Sequence, residues 1–293
     1  MKFIYRLLGR LPLPLLYGLS VPLAFLLYRV VRYRRAVVAD NLTQAFPDLD
    51  RRARARIECG IYRHLAELAV EIIVTRYLAD TELQRRVHLE NPEVLDAYKE
   101  REQAVLFLTS HQGNWEWLLH VVSAYMGCPI DAVYKKLHNA AFDALVFEGR
   151  ARSGKPIIFQ DAGREILRRR REFRGFAMLA DQAPFKRDKR YWHMFFGRPG
   201  SFYFGPQVLA EATQYPVVFV SMTKQRRGCY SARFEVLAEP PHDRGGYAIL
   251  DRYIEALERS IHVQPEIWMW SNRKWKHRPP EDWQEHPVAE PTS

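Results

Sequence analysis

Val105-Leu-Phe-Leu-Thr-Ser-His-Gln-Gly-Asn-Trp-Glu-Trp-Leu-Leu119 is the stretch around which the chain is arranged. The apolar run over residues 104–108 is short and lacks polar alternation, as in a strand covered on both faces. Gly113 permits backbone angles that other residues avoid, and Asn114 is a good helix N-cap. Residues 115–125 then carry apolar side chains at helical spacing, and Gly127 ends the run. The reading is strand, tight turn, helix. It puts His111 beyond the carboxyl end of a strand, where open α/β sheets place their chemistry. Glu116, in the first helical turn, can reach back toward the imidazole. A carboxylate on one imidazole nitrogen leaves the other facing substrate as an acceptor. Such a pair suits deprotonation of a hydroxyl, a contribution of about 10²–10⁴ in rate. The competing reading is a turn histidine making ordinary hydrogen bonds.

The chain has 293 residues, enough to bury a full core, and one domain with an appendage is the simplest count. Cys59, Cys128 and Cys229 are widely spaced with no CxxC, so neither a disulfide framework nor a zinc site is implied. No Walker A loop, GxGxxG turn or HExxH helix is present, and nothing points to a nucleotide or a metal. The formal charge is +10 and the isoelectric point about 9.5. Such a surface suits nucleic acid, anionic lipid or an acidic protein partner.

Residues 11–28 contain no charged side chain; Lys2, Arg6 and Arg10 precede them, and Arg29, Arg32, Arg34 and Arg35 follow. The run is long enough to cross a membrane, but Pro12, Pro14 and Pro22 interrupt it. No Ala-x-Ala-like cleavage site follows. Residues 1–35 are expected to attach the chain to a membrane, by spanning it once or lying in its interface; a buried helix of the domain is the third reading. The denser arginines after the run favour a catalytic domain on the cytoplasmic side of the membrane. Residues 48–77 read as a long amphipathic helix with an apolar stripe of Ile57, Ile61, Leu65, Leu68 and Ile72. Arg51, Arg52, Arg54 and Arg56 crowd its first turns against the helix dipole, as lipid headgroups or a merely solvated face would each allow.

From about residue 87 strands and helices alternate. Strands are expected at 104–109, 130–134, 156–159, 176–180, 217–222 and 230–237, with helices at 115–125, 140–152, 163–172, 205–213 and 247–262. This rhythm predicts a mostly parallel or mixed central sheet with helices on both faces. The catalytic domain is expected over residues 36–279, with a polar, Pro-rich and disordered tail at 280–293.

His111-Gln-Gly-Asn-Trp-Glu116 resembles the His-x4-Asp/Glu motif of glycerolipid acyltransferases, and more closely the lauroyl/myristoyl acyltransferase family of lipid A biosynthesis. Ala180-Asp-Gln182, Phe195-Phe-Gly197 and Trp270-Ser-Asn-Arg-Lys-Trp-Lys-His-Arg-Pro279 also resemble that family's pattern, in the right order along nearly the whole chain. The resemblance implies a glycerol-3-phosphate acyltransferase-like fold. It further implies transfer of a fatty acyl chain from an acyl carrier protein or CoA thioester to a hydroxyl of a glycolipid, most simply a lipid A precursor. His111 is then the base and Glu116 its orienting carboxylate. No covalent acyl-enzyme is implied, because no Ser or Cys sits in a nucleophile elbow.

Other candidate substrate-binding residues follow. Asn114 lies inside the first motif. Tyr134-Lys135 ends a strand and resembles the family's Tyr-Arg. Arg150 and Arg152 match family arginines, and a guanidinium at the sheet's carboxyl edge suits a phosphate or a thioester oxyanion. Asp181 and Gln182 follow a strand and land on the same edge as His111. Arg273 lies where the family more usually has His-Arg-Arg and this chain has Asn272-Arg273-Lys274. That departure, with Gln-Gly-Asn-Trp inside the first motif, leaves another membrane glycolipid or a phospholipid open as acceptor. The basic runs at 168–171 and 186–190 suit solvated faces or an acidic carrier protein. His193-Met-Phe-Phe-Gly-Arg-Pro199 reads as an aromatic loop lining an acyl groove or packing the core. Trp268, Trp270 and Trp275 among bases suit a membrane interface, and membrane lipid rather than nucleic acid is the expected partner. Competing functions are a hydrolase using the same pair on water, and a basic membrane-bound adaptor.

Overall fold

The computed structural model describes residues 2–185 and 188–284. The N-terminal region is helical: α1 (Lys2–Leu8), α2 (Leu13–Phe25) continuing as a π turn over Leu26–Val30, α3 (Arg35–Ala45), α4 (Arg51–Val74) and α5 (Asp80–Arg86). The α/β region follows with β1 (Val87–Leu89), α6 (Asp96–Glu100), β2 (Val105–Thr109), α7 (Trp115–Met126), β3 (Ile130–Tyr134), α8 (Ala140–Arg150), β4 (Ile157–Ile158), α9 (Ala162–Arg168) and β5 (Gly175–Leu179). It closes with β6 (Arg190–Phe195), β7 (Arg198–Tyr203), α10 (Gly205–Thr213), β8 (Val217–Arg226), β9 (Cys229–Ala238) and α11 (Ala248–Val263).

Seven strands form one sheet in the order β1-β9-β8-β2-β5-β3-β4. The run β8-β2-β5-β3-β4 is parallel, and β9 turns back antiparallel on β8. The mixed sheet with helices on both faces is therefore as the alternation predicts. Every residue of β2 and of β3 is buried, which is why neither strand alternates polar and apolar residues. Side-chain alternation along β2 then splits the core in two. Leu106 and Leu108 pack with Phe176, Leu250 and Ile254 on one face. Val105 and Phe107 pack with Trp117, Leu118 and Val218 on the other.

Several elements were not legible, among them α5 and α6. The short edge strand β1 pairs only three residues with β9. Helix α3 carries little apolar patterning, and it docks by Val38 and Leu42. The expected aromatic loop around His193–Pro199 is a regular antiparallel hairpin, β6–β7. Phe196 and Gly197 turn it with φ of 53° and 66°, the pair of left-handed angles a tight two-residue turn requires. Alternate residues of β6 are buried, so Tyr191 and Phe195 serve the core. The tryptophan-rich segment is corrected too. Trp268 and Trp270 are buried in the core and Trp275 packs against it, so they do not form a membrane-facing belt. Of the expected tail, residues 285–293 lie outside the described residues, as do Lys186 and Arg187 of the basic loop.

Residues Leu13–Val30 form a segment long and apolar enough to cross a membrane by length and composition. Pro12 and Pro14 sit at its start, where missing N–H groups have no helical partner in any case. Leu13, Leu16, Tyr17 and Ser20 bury one side, while Leu15, Leu19, Val21 and Phe25 stay exposed. The buried side packs along α4, running antiparallel to it. Tyr17 Oη donates to Glu71 Oε1 at 2.9 Å, the Tyr28 and Tyr62 rings lie 5.2 Å apart, and Arg35 Nε donates to Glu58 Oε1 at 2.8 Å.

Candidate active site

His111 sits two residues past β2, in a turn held from several sides. Gly113 takes φ +65°, and a Cβ there would lie 2.9 Å from Met222 Cβ, so the position needs glycine on both counts. Asn114 Oδ1 accepts the Trp117 N–H at 3.0 Å as the N-cap of α7, and its Nδ2 donates to the buried Glu71 Oε2 at 2.8 Å. His64 Nε2 lies 3.2 Å from Gly113 O. Burial, aided by the nearby Lys224 charge, pushes the His64 imidazole down to about 3, so it is neutral and donates through Nε2. On the other side Gly113 N–H donates to Ile267 O at 3.1 Å, and Met269 N–H to His111 O at 2.9 Å.

The carboxylate on His111 is Asp181. Its Oδ1 lies 2.7 Å from His111 Nδ1, and its Oδ2 accepts the His111 backbone N–H at 3.1 Å and Trp268 Nε1–H at 2.8 Å. Asp181 is 1 % exposed. Burial acts to raise its carboxyl, but the charge and two hydrogen bonds of His111, with Lys274 behind them, hold it below the usual carboxylate value. An ionised Asp181 fixes the proton on His111 Nδ1 and leaves Nε2 as the lone-pair nitrogen. The Gln182 amide nitrogen lies 3.3 Å from Nε2.

The expected Glu116–His111 contact is replaced by another pair. Glu116, 4 % exposed, is gripped by Arg150, whose Nε donates to Oε2 at 2.9 Å and whose Nη2 donates to Oε1 at 2.5 Å. Trp115 Nε1–H donates to Oε1 at 3.0 Å. The physical reason is burial: a carboxylate this far from water needs a cation, and α8 brings one within a bidentate fork. The Trp115 ring meanwhile stands edge-on to the imidazole, 5.0 Å between centroids. Burial acts to lower the Arg150 guanidinium, but Glu116 outweighs it and keeps Arg150 charged. Among the described residues Arg150 Nη1 makes no hydrogen bond.

His111, Tyr134, Lys135, Arg150 and Gln182 all line one cleft of about 430 Å³, which Arg34, Lys136 and Leu137 also border. Arg150 stands over the Tyr134 ring at 5.4 Å. Under Arg150 and Trp115 lies an apolar cavity of about 40 Å³ walled by Phe107, Leu118, Val122 and Leu179. Three other candidates fall elsewhere. Asn114 is fully buried and spends both ends of its amide on the turn, so it supports His111 and faces no substrate. Arg152 points the other way and donates to Thr75 O at 2.7 Å and Asp80 Oδ1 at 2.5 Å, tying α8 to the start of α5. Arg273 borders a separate depression with Ala36 and Asp40. Sequence reading did not single out His64 or Glu71 and gave Trp268 a membrane role; all three hold the turn through contacts distant in sequence. The one available signal was the polar trio at 64, 67 and 71 inside an apolar helical face.

This chain matches the family model described as bacterial lipid A biosynthesis acyltransferase over residues 2–277. It belongs to that family. The bacterial lipid A biosynthesis acyltransferases similar to it include the lipid A biosynthesis palmitoleoyltransferase of Escherichia coli (strain K12), 22% identical over 275 residues, with 92% of this chain and 88% of the relative covered. The lipid A biosynthesis acyltransferase of Shigella flexneri matches with the same figures. The family's class, acyl-group transfer (EC 2.3.1.-), is that of this chain.

Proposed function

We propose that the protein moves a fatty acyl group from a carrier thioester, acyl carrier protein or CoA, to a hydroxyl of a membrane glycolipid, most simply a lipid A precursor. The observation that carries this reading is His111, with Nδ1 committed to ionised Asp181 and Nε2 open to a cleft lined by Arg150, Tyr134 and Lys135. The acceptor hydroxyl displaces the Gln182 amide and gives its proton to Nε2 as its oxygen attacks the thioester carbonyl. The free Nη1 of Arg150 faces the developing oxyanion, and Glu116 keeps that guanidinium in place. Collapse of the adduct breaks the C–S bond, and the imidazolium proton goes to the departing thiolate. The carbons nearest the thioester enter the apolar cavity beneath Arg150. Direct transfer suits the surroundings, because the buried Ser110 hydroxyl has no hydrogen-bond partner among the described residues and is not coupled to the imidazole.

Membrane attachment fits a helix lying in the interface. Because α2 runs along α4, a spanning α2 would draw the exposed Arg63 and the carboxylates of Glu67 and Glu71 on α4 into the hydrocarbon layer. Lying flat, α2 immerses Leu15, Leu19 and Phe25 and leaves α4 in water. The following arginines favour the cytoplasmic leaflet. Lipid mass spectrometry of cells with and without the protein tests the function: one glycolipid species should gain an acyl chain only when His111 is intact. No acyl difference in any lipid would refute it.

A further inference from the structure

A second concavity, a groove of about 760 Å³ that shares no lining residue with the cleft, lies between α4 and the tip of the β8–β9 hairpin. It is lined by Arg56, Arg63, Lys224, Arg226 and Arg227, and its most buried carboxylate, Glu67, is already taken by Lys224 and Arg227. Arg56, Arg63 and Arg226 are exposed and make no ion pair among the described residues. Arg56 continues the arginine run that starts α4, a helix whose first turn holds no acidic residue. Arg56, Arg63 and Arg226 thus face one concavity without a paired counter-charge, and an anionic partner would relieve their mutual repulsion.

The rims of the two concavities differ. Around the cleft, Leu137, Phe147 and Phe185 are each more than 40 % exposed. No large apolar side chain of the basic groove is exposed to that degree among the described residues. The cleft therefore presents an apolar border to lipid, while the groove presents only charge to water. A narrow cavity lies between the two, sharing His64 and Ile267 with the groove and His111 with the cleft. His64 itself links Lys224 Nζ, 3.4 Å from its Nδ1, to Gly113 O in the His111 turn.

We propose that this groove docks the acidic surface of the soluble carrier protein that delivers the acyl thioester, while the cleft takes the lipid acceptor. This rests on the acyl-transfer reading above and gives its donor a location. Association steered by charge is fast and salt-sensitive, as delivery by a dissociating carrier requires. The docked carrier then lies clear of the apolar rim that the cleft turns to lipid.

The test uses full-length, detergent-solubilised protein and the double variant Arg63→Glu/Arg226→Glu. Donors are lauroyl–acyl carrier protein and the uncharged lauroyl-pantetheine, with a lipid A precursor as acceptor. Binding of fluorescent acyl carrier protein is followed separately by anisotropy. The expected result is at least about a tenfold rise in KM and Kd for the carrier, with kcat nearly constant and the pantetheine rate unchanged, since opposed charges now repel. Wild-type carrier affinity should fall between about 0.05 and 0.5 M salt, and the variant should show little such dependence. Equal losses with both donors, or unchanged carrier binding, would overturn the proposal. So would an intact carrier response combined with lost sedimentation on phosphatidylglycerol-containing vesicles, which would assign the groove to lipid. If wild-type protein transfers from neither donor, the acyl-transfer reading fails, and the anisotropy result still decides the groove.

Discussion

Replacing Asp181 with Asn separates orientation from bulk. In the wild type, Oδ2 accepts two N–H groups, from the His111 backbone and from Trp268, whereas Oδ1 faces only His111 Nδ1. An amide oxygen must therefore take the Oδ2 position, since the NH₂ end cannot accept. That turns the NH₂ toward Nδ1 and makes Nδ1 the acceptor, so the proton moves to Nε2. The imidazole then offers substrate a donor where a base is needed, and it also loses the charge that stabilises its cation. The equivalent change in a serine-protease triad costs about 10⁴ in turnover, or about 5 kcal/mol at 1.36 kcal/mol per factor of ten. A loss of about 10³–10⁴ in kcat is expected here, with KM for the acceptor nearly constant because Asp181 is buried and meets no substrate. Thioester consumption and lipid mass spectrometry give the rate, and a thermal melt shows that the variant folds. Turnover within tenfold of wild type, with the same pH–rate profile, would refute the orienting role. A larger loss in Glu116→Gln than in Asp181→Asn would return that role to Glu116.

Other outcomes follow from the same geometry. Arg150→Met strands Glu116 as an unpaired buried charge and should lower stability by about 3–5 kcal/mol; adding Glu116→Leu should restore much of that in urea unfolding but none of the activity. Gly113→Ala meets both the positive φ and the Met222 side chain, so it should cost about 1–3 kcal/mol and lower kcat more than KM, as melts and steady-state rates would show. Burial holds the His64 and His120 imidazoles down at about 3 and about 4, against an ordinary value of 6.5. The unfolded chain thus binds protons that the folded one refuses as pH falls from 6.5 toward 4. Stability should be full above 6.5 and drop by up to about 1.4 kcal/mol per pH unit for each group, measured as urea midpoints across that range. Leu15→Glu with Leu19→Glu and Phe25→Glu should release the protein from vesicles without a lower melting temperature, since all three side chains are exposed; wild-type protein should resist about 1 M salt, because apolar burial is not screened.

Much of the scaffold was legible because its signals are local. The run before His111 is uniformly apolar, Asn114 and Gly127 mark the ends of α7, and the alternation of such units dictates the sheet. The position of His111 followed from that. Its partner did not, because Asp181 reaches it across 70 positions of sequence from the neighbouring strand, and Glu116, five residues away, offered the same chemistry. Spacing cannot tell which of two carboxylates a fold delivers. The tryptophans at 268 and 270 misled for a related reason: aromatics among bases look the same at a bilayer and in a core, and only packing against Phe195 and Phe196 distinguishes them.

The segment from Ile267 to Lys274 carries a consequence for how the protein comes into being. Trp268 and Lys274 meet Asp181 across 87 and 93 positions, Gly113 N–H leans on Ile267, and Lys274 Nζ donates to Asp181 O at 2.9 Å and Ser201 O at 3.0 Å while lying 3.2 Å over the Phe202 ring. The sheet, α7 and α8 are all translated before this segment exists. Contacts so distant in sequence close late, after the loop entropy between them has been overcome. A nascent chain still threaded on the ribosome therefore has the imidazole and its carboxylate but not the tryptophan and lysine that hold the carboxylate in place. A chain synthesised only as far as β9 has His111 and Asp181 on one sheet edge without the contacts that fix the one against the other.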